Sequence, residues 1–146
     1  MRVYLDICCL KRPFDAQDDA IVRLESEAVT SILALPSERI TLVRSRAQRL
    51  ENSLNPLQWR REAVAAWLDE APVEVVAAAA LTRRTSELIA SGFKNFDAFH
   101  VATAEACADV FVTVDKRLSR RATTAALRVR VVSPLTLLQE VSEWKI

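Results

Sequence analysis

Short apolar runs that read as strands, separated by helical patterns of ten residues or more, limit the fold of this chain more than any other feature. Residues 2–5 (Arg2-Val3-Tyr4-Leu5) read as a strand, and a long amphipathic pattern over about 18–35 follows, with Ile21, Leu24, Ala28, Ile32 and Leu35 as its apolar stripe. Residues 40–43 read as a second strand, and Ser45 suits the N-cap of a short helix that ends near Asn55-Pro56. A helix over about 57–71 carries Leu57, Val64, Trp67, Leu68 and Ala71, Pro72 stops it, and residues 73–76 read as a third strand. A helix over about 78–91 ends at Gly92, the single glycine, which suits a left-handed position just past a helix. A helix over about 96–108, a strand at 110–114, a basic helix from about 116, a fifth strand at 129–132 and a last helix opening at Ser133-Pro134 complete the series. Strands joined through helices make right-handed crossovers and a mostly parallel sheet covered on both faces. The expected fold is a three-layer α/β/α sandwich, one domain over residues 1–146.

In such sheets, ligands bind at the carboxyl ends of the strands. Asp6 follows the first strand and Asp115 follows the run Val110-Phe111-Val112-Thr113-Val114. Asp97 opens a helix, and Glu51 lies on the helix that Ser45 begins. Each acid has an ordinary explanation, a helix cap for the three aspartates and a solvated face for Glu51. The convergence of all four on one edge is what points to a metal-dependent site.

Composition narrows the classes. The chain of 146 residues is 51% hydrophobic and 27% charged, which fits a folded domain rather than a disordered segment. A net charge of +1, from 20 basic and 19 acidic residues, excludes a globally basic nucleic-acid binder, so local patches decide. Three cysteines, with Cys8 and Cys9 adjacent, form neither a disulfide framework nor a zinc pattern and read as reduced core thiols. With no apolar run approaching the ~20 residues that span a bilayer, the expectation is a cytoplasmic protein without membrane contact. A single glycine excludes the glycine-rich nucleotide-binding loops. Ala77 stands where a phosphate-accepting receiver domain needs an acid, and Asp6-Ile7-Cys8 lacks the second carboxylate of an aspartate-based phosphatase.

Four segments carry a family resemblance: residues 3–15 (Val3-Tyr4-Leu5-Asp6-Ile7-Cys8-Cys9-Leu10-Lys11-Arg12-Pro13-Phe14-Asp15), Glu51 shortly before Asn55-Pro56, Phe96-Asp97-Ala98-Phe99-His100-Val101-Ala102, and Val112-Thr113-Val114-Asp115-Lys116-Arg117-Leu118. In order and spacing the chain resembles the PIN-domain ribonucleases, of the kind that serve as VapC toxins in toxin–antitoxin pairs. The resemblance implies an endoribonuclease dependent on Mg²⁺ or Mn²⁺, leaving a 5′-phosphate and a 3′-hydroxyl, with a homodimeric state and a small antitoxin as partner. It places the acidic positions on Asp6, Glu51, Asp97 and Asp115. Asp6, Asp97 and Asp115 are then ligands, Glu51 a ligand through water or a base, and Thr113 a hydroxyl beside the last acid. The chain departs from many relatives at Ile7, where they have Thr or Ser, and at Arg46, where they often have an acid. The alternative reading is a PIN-like module that binds RNA or protein without catalysis.

Hard cations prefer oxygen ligands, and four clustered acids repel both one another and an anionic phosphodiester unless a cation lies between them. Lys116, Arg117, Arg120 and Arg121 follow Asp115 and are candidate RNA contacts, as a solvated basic face would also be. Arg44, Arg46 and Arg49 form a second basic group, and Lys11 with Arg12 a third. His100, the only histidine, lies three residues after Asp97 and reads as a satisfied core residue, too far along the helix from Cys107 to activate it. Trp59 lies on a second apolar track and is a candidate for a dimer or antitoxin contact.

Overall fold

Val3, Tyr4 and Leu5 have no exposed surface at all, and that complete burial marks their strand as central. The structure, a computed structural model, describes residues 1–70, 72–74 and 76–143. Strand β1 (Arg2–Leu5) pairs in parallel with β2 (Thr41–Val43) on one side and β3 (Val110–Val112) on the other, and β3 pairs in parallel with β4 (Arg130–Val132). The order β2-β1-β3-β4 makes one all-parallel sheet within a three-layer α/β/α fold. Register sets Leu5 opposite Val112, so the residues after β1 and β3 leave the sheet at the same edge.

Side chains alternate across the sheet, and each face has its own core. Val3, Leu5, Val110 and Val112 pack with residues of α1 (Ile7–Lys11), α2 (Ala20–Leu33), α4 (Gln58–Leu68) and α8 (Pro134–Glu143). On the other face, Tyr4, Val43 and Phe111 pack with α5 (Ala78–Ala90), α6 (Asn95–Cys107) and α7 (Lys116–Thr124). Each such aliphatic or aromatic side chain contributes about 1.5–3 kcal/mol by leaving water. Helix α3 (Arg46–Ser53) lies at the carboxyl edge, where Gln48 Nε2 donates to Leu5 O at 2.7 Å. Ser45 is its N-cap as expected, with a reciprocal pair: Gln48 N–H donates to Ser45 Oγ, and Ser45 N–H to Gln48 Oε1.

Two sequence expectations are not met among the described residues. The expected strand at 73–76 falls partly on Val75, which lies outside the described residues; among those described, Glu74 N–H reaches Arg44 O at 2.8 Å and no ladder follows. Pro72 offers no backbone donor, and Glu74 turns its carboxylate to Arg2. The apolar stripe of α2 is also rotated, since Ile21 and Leu24 are 51% and 47% exposed while Ser26, Ala28, Val29 and Ile32 are buried. Ser26 Oγ lies 3.0 Å from Arg12 O, in the 3₁₀ turn Arg12–Phe14 that follows α1, and this docking turns the helix's first apolar residues outward.

The single glycine behaves as expected. Gly92 has φ of 106°, Phe93 N–H bonds to Leu88 O and Gly92 N–H to Ile89 O, the paired pattern that closes a helix through a glycine. A Cβ at Gly92 would also stand 2.9 Å from the Arg121 guanidinium carbon. Replacing Gly92 with Ala is expected to destabilise the protein by about 1–3 kcal/mol through backbone strain, measured by urea denaturation. Adding Arg121→Ala should recover only the part due to crowding; a Gly92→Ala protein as stable as the parent overturns this account.

Candidate metal centre at the sheet edge

The site begins with two residues that continue paired strands. Asp6 follows β1, its N–H bonded to Val112 O at 2.9 Å, and its side chain is almost wholly buried. Thr113 follows β3, and its hydroxyl donates to Asp6 Oδ2 at 2.8 Å while accepting from Asp115 N–H at 3.0 Å. One hydroxyl thus ties the two strand-end acids together. The Cys8 thiol also donates to Asp6 Oδ2, at 3.1 Å. Ile7 is packed into the core, and the thiol one residue later supplies a donor to the acid. That thiol is held well above its usual pKa by its contact with Cys9, by burial and by the charge of Asp6.

Asp115 caps α7, its Oδ1 accepting from Arg117 and Leu118 N–H at 2.9 and 3.2 Å. The ordinary capping role is therefore real for this residue. Glu51 lies one turn beyond Gln48 on α3, and since Gln48 is bonded to the end of β1, that spacing brings Glu51 to the same edge. Asp97 is the third residue of α6 and makes no cap; its carboxyl is pushed up to about 6 by burial first, then by the charges of Asp6 and Asp115, with Glu51 adding to the effect and His100 opposing it.

His100 is buried as the sequence leads one to expect, but only one of its two nitrogens is satisfied. Its ring is fully buried, its Nδ1 lies 2.7 Å from the Tyr4 hydroxyl, and its Nε2 stands 3.5 Å from Glu51 Oε2 without a hydrogen-bond partner. Burial disfavours the imidazolium, but contact with Glu51 and the charges of Asp6 and Asp97 outweigh it, so the ring's pKa is raised. Ligand atoms of Asp6, Glu51 and His100 all lie within 4.8 Å of one another, close enough for a single ion. Asp97 and Asp115 stand outside that tight group but within electrostatic reach of it. The signal for His100 was its place one helical turn after Asp97, on the same face.

The basic groups separate. Lys116, Arg117, Arg120 and Arg121 are exposed on α7, directly after the capping Asp115. Arg44 is buried, stacked 4.0 Å over Trp67 and donating to Trp67 O. Arg49 pairs with Asp69 at 2.8 Å, and Arg12 with Asp15 and Glu25. These contacts tie neighbouring segments together and withdraw Arg44 from the surface, whereas Arg46 and Arg49 stay exposed. Cys107 donates to Thr103 O, and burial pushes its thiol up to about 11, so it is no nucleophile.

A carboxyl raised from 3.8 to about 6 binds its proton more tightly folded than unfolded, so its contribution to stability falls as pH rises between those values and stays lost above them. Asp97→Asn is therefore expected to raise the melting temperature of the metal-free protein above pH 6 and to flatten its pH dependence between about 4 and 6. Thermal melts in chelator across that range check this; an unchanged profile contradicts it.

No curated protein and no solved structure matches the chain. Among the described residues no helix is long and apolar enough to cross a membrane. The family model for the PIN domain matches residues 5–123, a span that holds all four acids, Thr113 and His100. With most of its 146 residues inside that match and its acids gathered at the carboxyl edge of a parallel sheet, the chain belongs to the PIN domain family, whose members are generally metal-dependent nucleases.

Proposed function

We propose that the protein is an endoribonuclease dependent on Mg²⁺ or Mn²⁺, with Asp6, Asp97 and Asp115 as the metal-holding acids and Glu51 beside them. The observation that carries this reading is geometric: the Thr113 hydroxyl ties Asp6 to the backbone of Asp115 at the carboxyl edge of the sheet, and ligand atoms of Asp6 and Glu51 lie within 4.8 Å of each other there. Anionic groups gathered in this way fit a divalent cation, and carboxylate oxygens suit the hard ions Mg²⁺ and Mn²⁺. When bound, such an ion would neutralise charge between the carboxylates and a phosphodiester and activate water for in-line attack. The chain's own groups divide the rest of the work. Asp6 has both its donors, Thr113 and Cys8, on Oδ2, which leaves Oδ1 open for ligation. Glu51 is partly exposed and accepts no hydrogen bond among the described residues, so its carboxylate is the acceptor suited to the attacking water's proton.

In this reading the substrate is held by Lys116, Arg117, Arg120 and Arg121, whose charges lie beside the acids on the helix that Asp115 caps. Neutralised phosphates make binding salt-dependent, each contact on a single strand adding about 0.7 to the slope of log affinity against log salt. Replacing Asp6 or Asp115 with Asn is expected to cut Mn²⁺-dependent RNA cleavage by more than about 100-fold, because even loss of a residue that merely supports a metal ligand costs 10–100-fold. Asn also serves as an N-cap, so circular dichroism should show Asp115→Asn folded. In the same assay Arg117→Ala with Arg120→Ala should weaken binding and lower its salt slope without changing the metal requirement. Full cleavage by both acid variants sinks the proposal; RNA bound but never cleaved by the parent protein supports a non-catalytic module instead.

The reading extends to a toxin of a toxin–antitoxin pair that works in the cytoplasm as a homodimer. Trp59 supports a partner surface: it is 55% exposed, meets Phe14 edge to face at 5.7 Å, and has exposed Leu54 and Leu57 close by in sequence. Trp59→Glu is expected to shift sedimentation toward the monomer while leaving cleavage intact; an unchanged sedimentation profile argues that any dimer forms elsewhere.

A further inference from the structure

Ser45, Tyr4 and His100 form a buried file that ends at the acids, and each has no exposed surface. The Tyr4 hydroxyl lies 2.7 Å from Ser45 Oγ and 2.7 Å from His100 Nδ1, while Ser45 Oγ also accepts from Gln48 N–H at 3.1 Å. The hydrogens along this file can run in two directions. If Nδ1 carries the ring proton, it donates to Tyr4, Tyr4 donates to Ser45, and the Ser45 hydrogen has no acceptor among the described residues. A buried donor left without an acceptor is costly. If Ser45 donates to Tyr4 and Tyr4 donates to Nδ1, every hydrogen in the file is used, and the ring proton of the neutral imidazole moves to Nε2.

That placement explains the other end of the ring. Nε2 is fully buried and unpartnered, yet it stands 3.5 Å from Glu51 Oε2, and the Glu51 carboxylate accepts no other hydrogen bond among the described residues. At that distance a protonated Nε2 faces a carboxylate oxygen just beyond ordinary hydrogen-bond length. A nitrogen that carries a proton has no lone pair for a metal, so the closeness of Asp6, Glu51 and His100 does not make a mixed oxygen and nitrogen ligand set. We infer that His100 is a positioning residue: Ser45 and Tyr4 fix its tautomer, and its Nε2–H orients the Glu51 carboxylate at the acidic site rather than ligating a metal. The role assigned to Glu51 rests on the nuclease reading, whereas the hydrogen placement does not.

Because the chain has one histidine, selective ¹⁵N labelling of histidine gives a spectrum of this ring alone. In the metal-free protein, at a pH where the ring is neutral, Nε2 is expected to be protonated and Nδ1 bare, and Nε2 to keep its proton when Zn²⁺, an ion that imidazole readily ligates, is added. A bare Nε2, or one that loses its proton and shifts with Zn²⁺, overturns the inference. A second measurement reads the positioning role through Mn²⁺ affinity by calorimetry. His100→Leu, which removes the donor, should weaken Mn²⁺ binding about 10–100-fold, whereas His100→Gln, whose amide can donate from the place of Nε2, should stay within about three-fold of the parent. Equal loss in both variants, each shown folded by circular dichroism, overturns the role. A parent protein that binds Mn²⁺ with this pattern but cuts no RNA leaves the inference standing and removes the nuclease reading.

Discussion

Like charges held close together are the constraint around which the rest of this molecule is arranged. Asp6, Asp97, Asp115 and Glu51 act on one another at the carboxyl edge of the sheet, and burial first, then those charges, raise the carboxyl of Asp97. Such a group of acids is unfavourable in isolation and must be held by something stronger. Here the parallel register of β1 and β3 fixes where Asp6 and Thr113 emerge, and the Thr113 hydroxyl joins Asp6 to the backbone of Asp115. Two apolar cores, one on each face of the sheet, hold that register in place.

The fold was largely readable because its main signals are local or periodic. The β1 and β3 runs, the Ser45 cap, the Gly92 stop and the alternation of strands with helices each follow from rules that act over a few residues. The misreadings have a common physical origin in contacts between residues far apart. Residues 73–76 have the composition of a strand, but among the described residues Glu74 answers to Arg2 and Arg44 and makes no ladder. Ile21 and Leu24 look like core, but Ser26 docks on the chain near Arg12 and decides which side of α2 faces inward.

The site shows the same division. Asp6 and Asp115 were legible from strand ends, and the structure sets both on one edge. What a single sequence cannot display is how the supporting groups reach them. Gln48 anchors α3 to the end of β1 and thereby delivers Glu51, an arrangement with no motif to announce it. His100 reads as an ordinary buried histidine from its own neighbours, and only the fold reveals that its second nitrogen faces an acid. Arginines 44 and 49 carry charge suited to phosphate, yet one stacks on Trp67 and the other pairs with Asp69.

Gly92 closes the helix that precedes α6, and the guanidinium of Arg121, on the basic helix that Asp115 begins, occupies the space a methyl group at that turn would need. Crowding at that bend and the rotamer of an exposed cation on another element are therefore linked. A larger residue at the chain's lone glycine would meet both a backbone turn that only glycine adopts freely and a guanidinium that must swing aside.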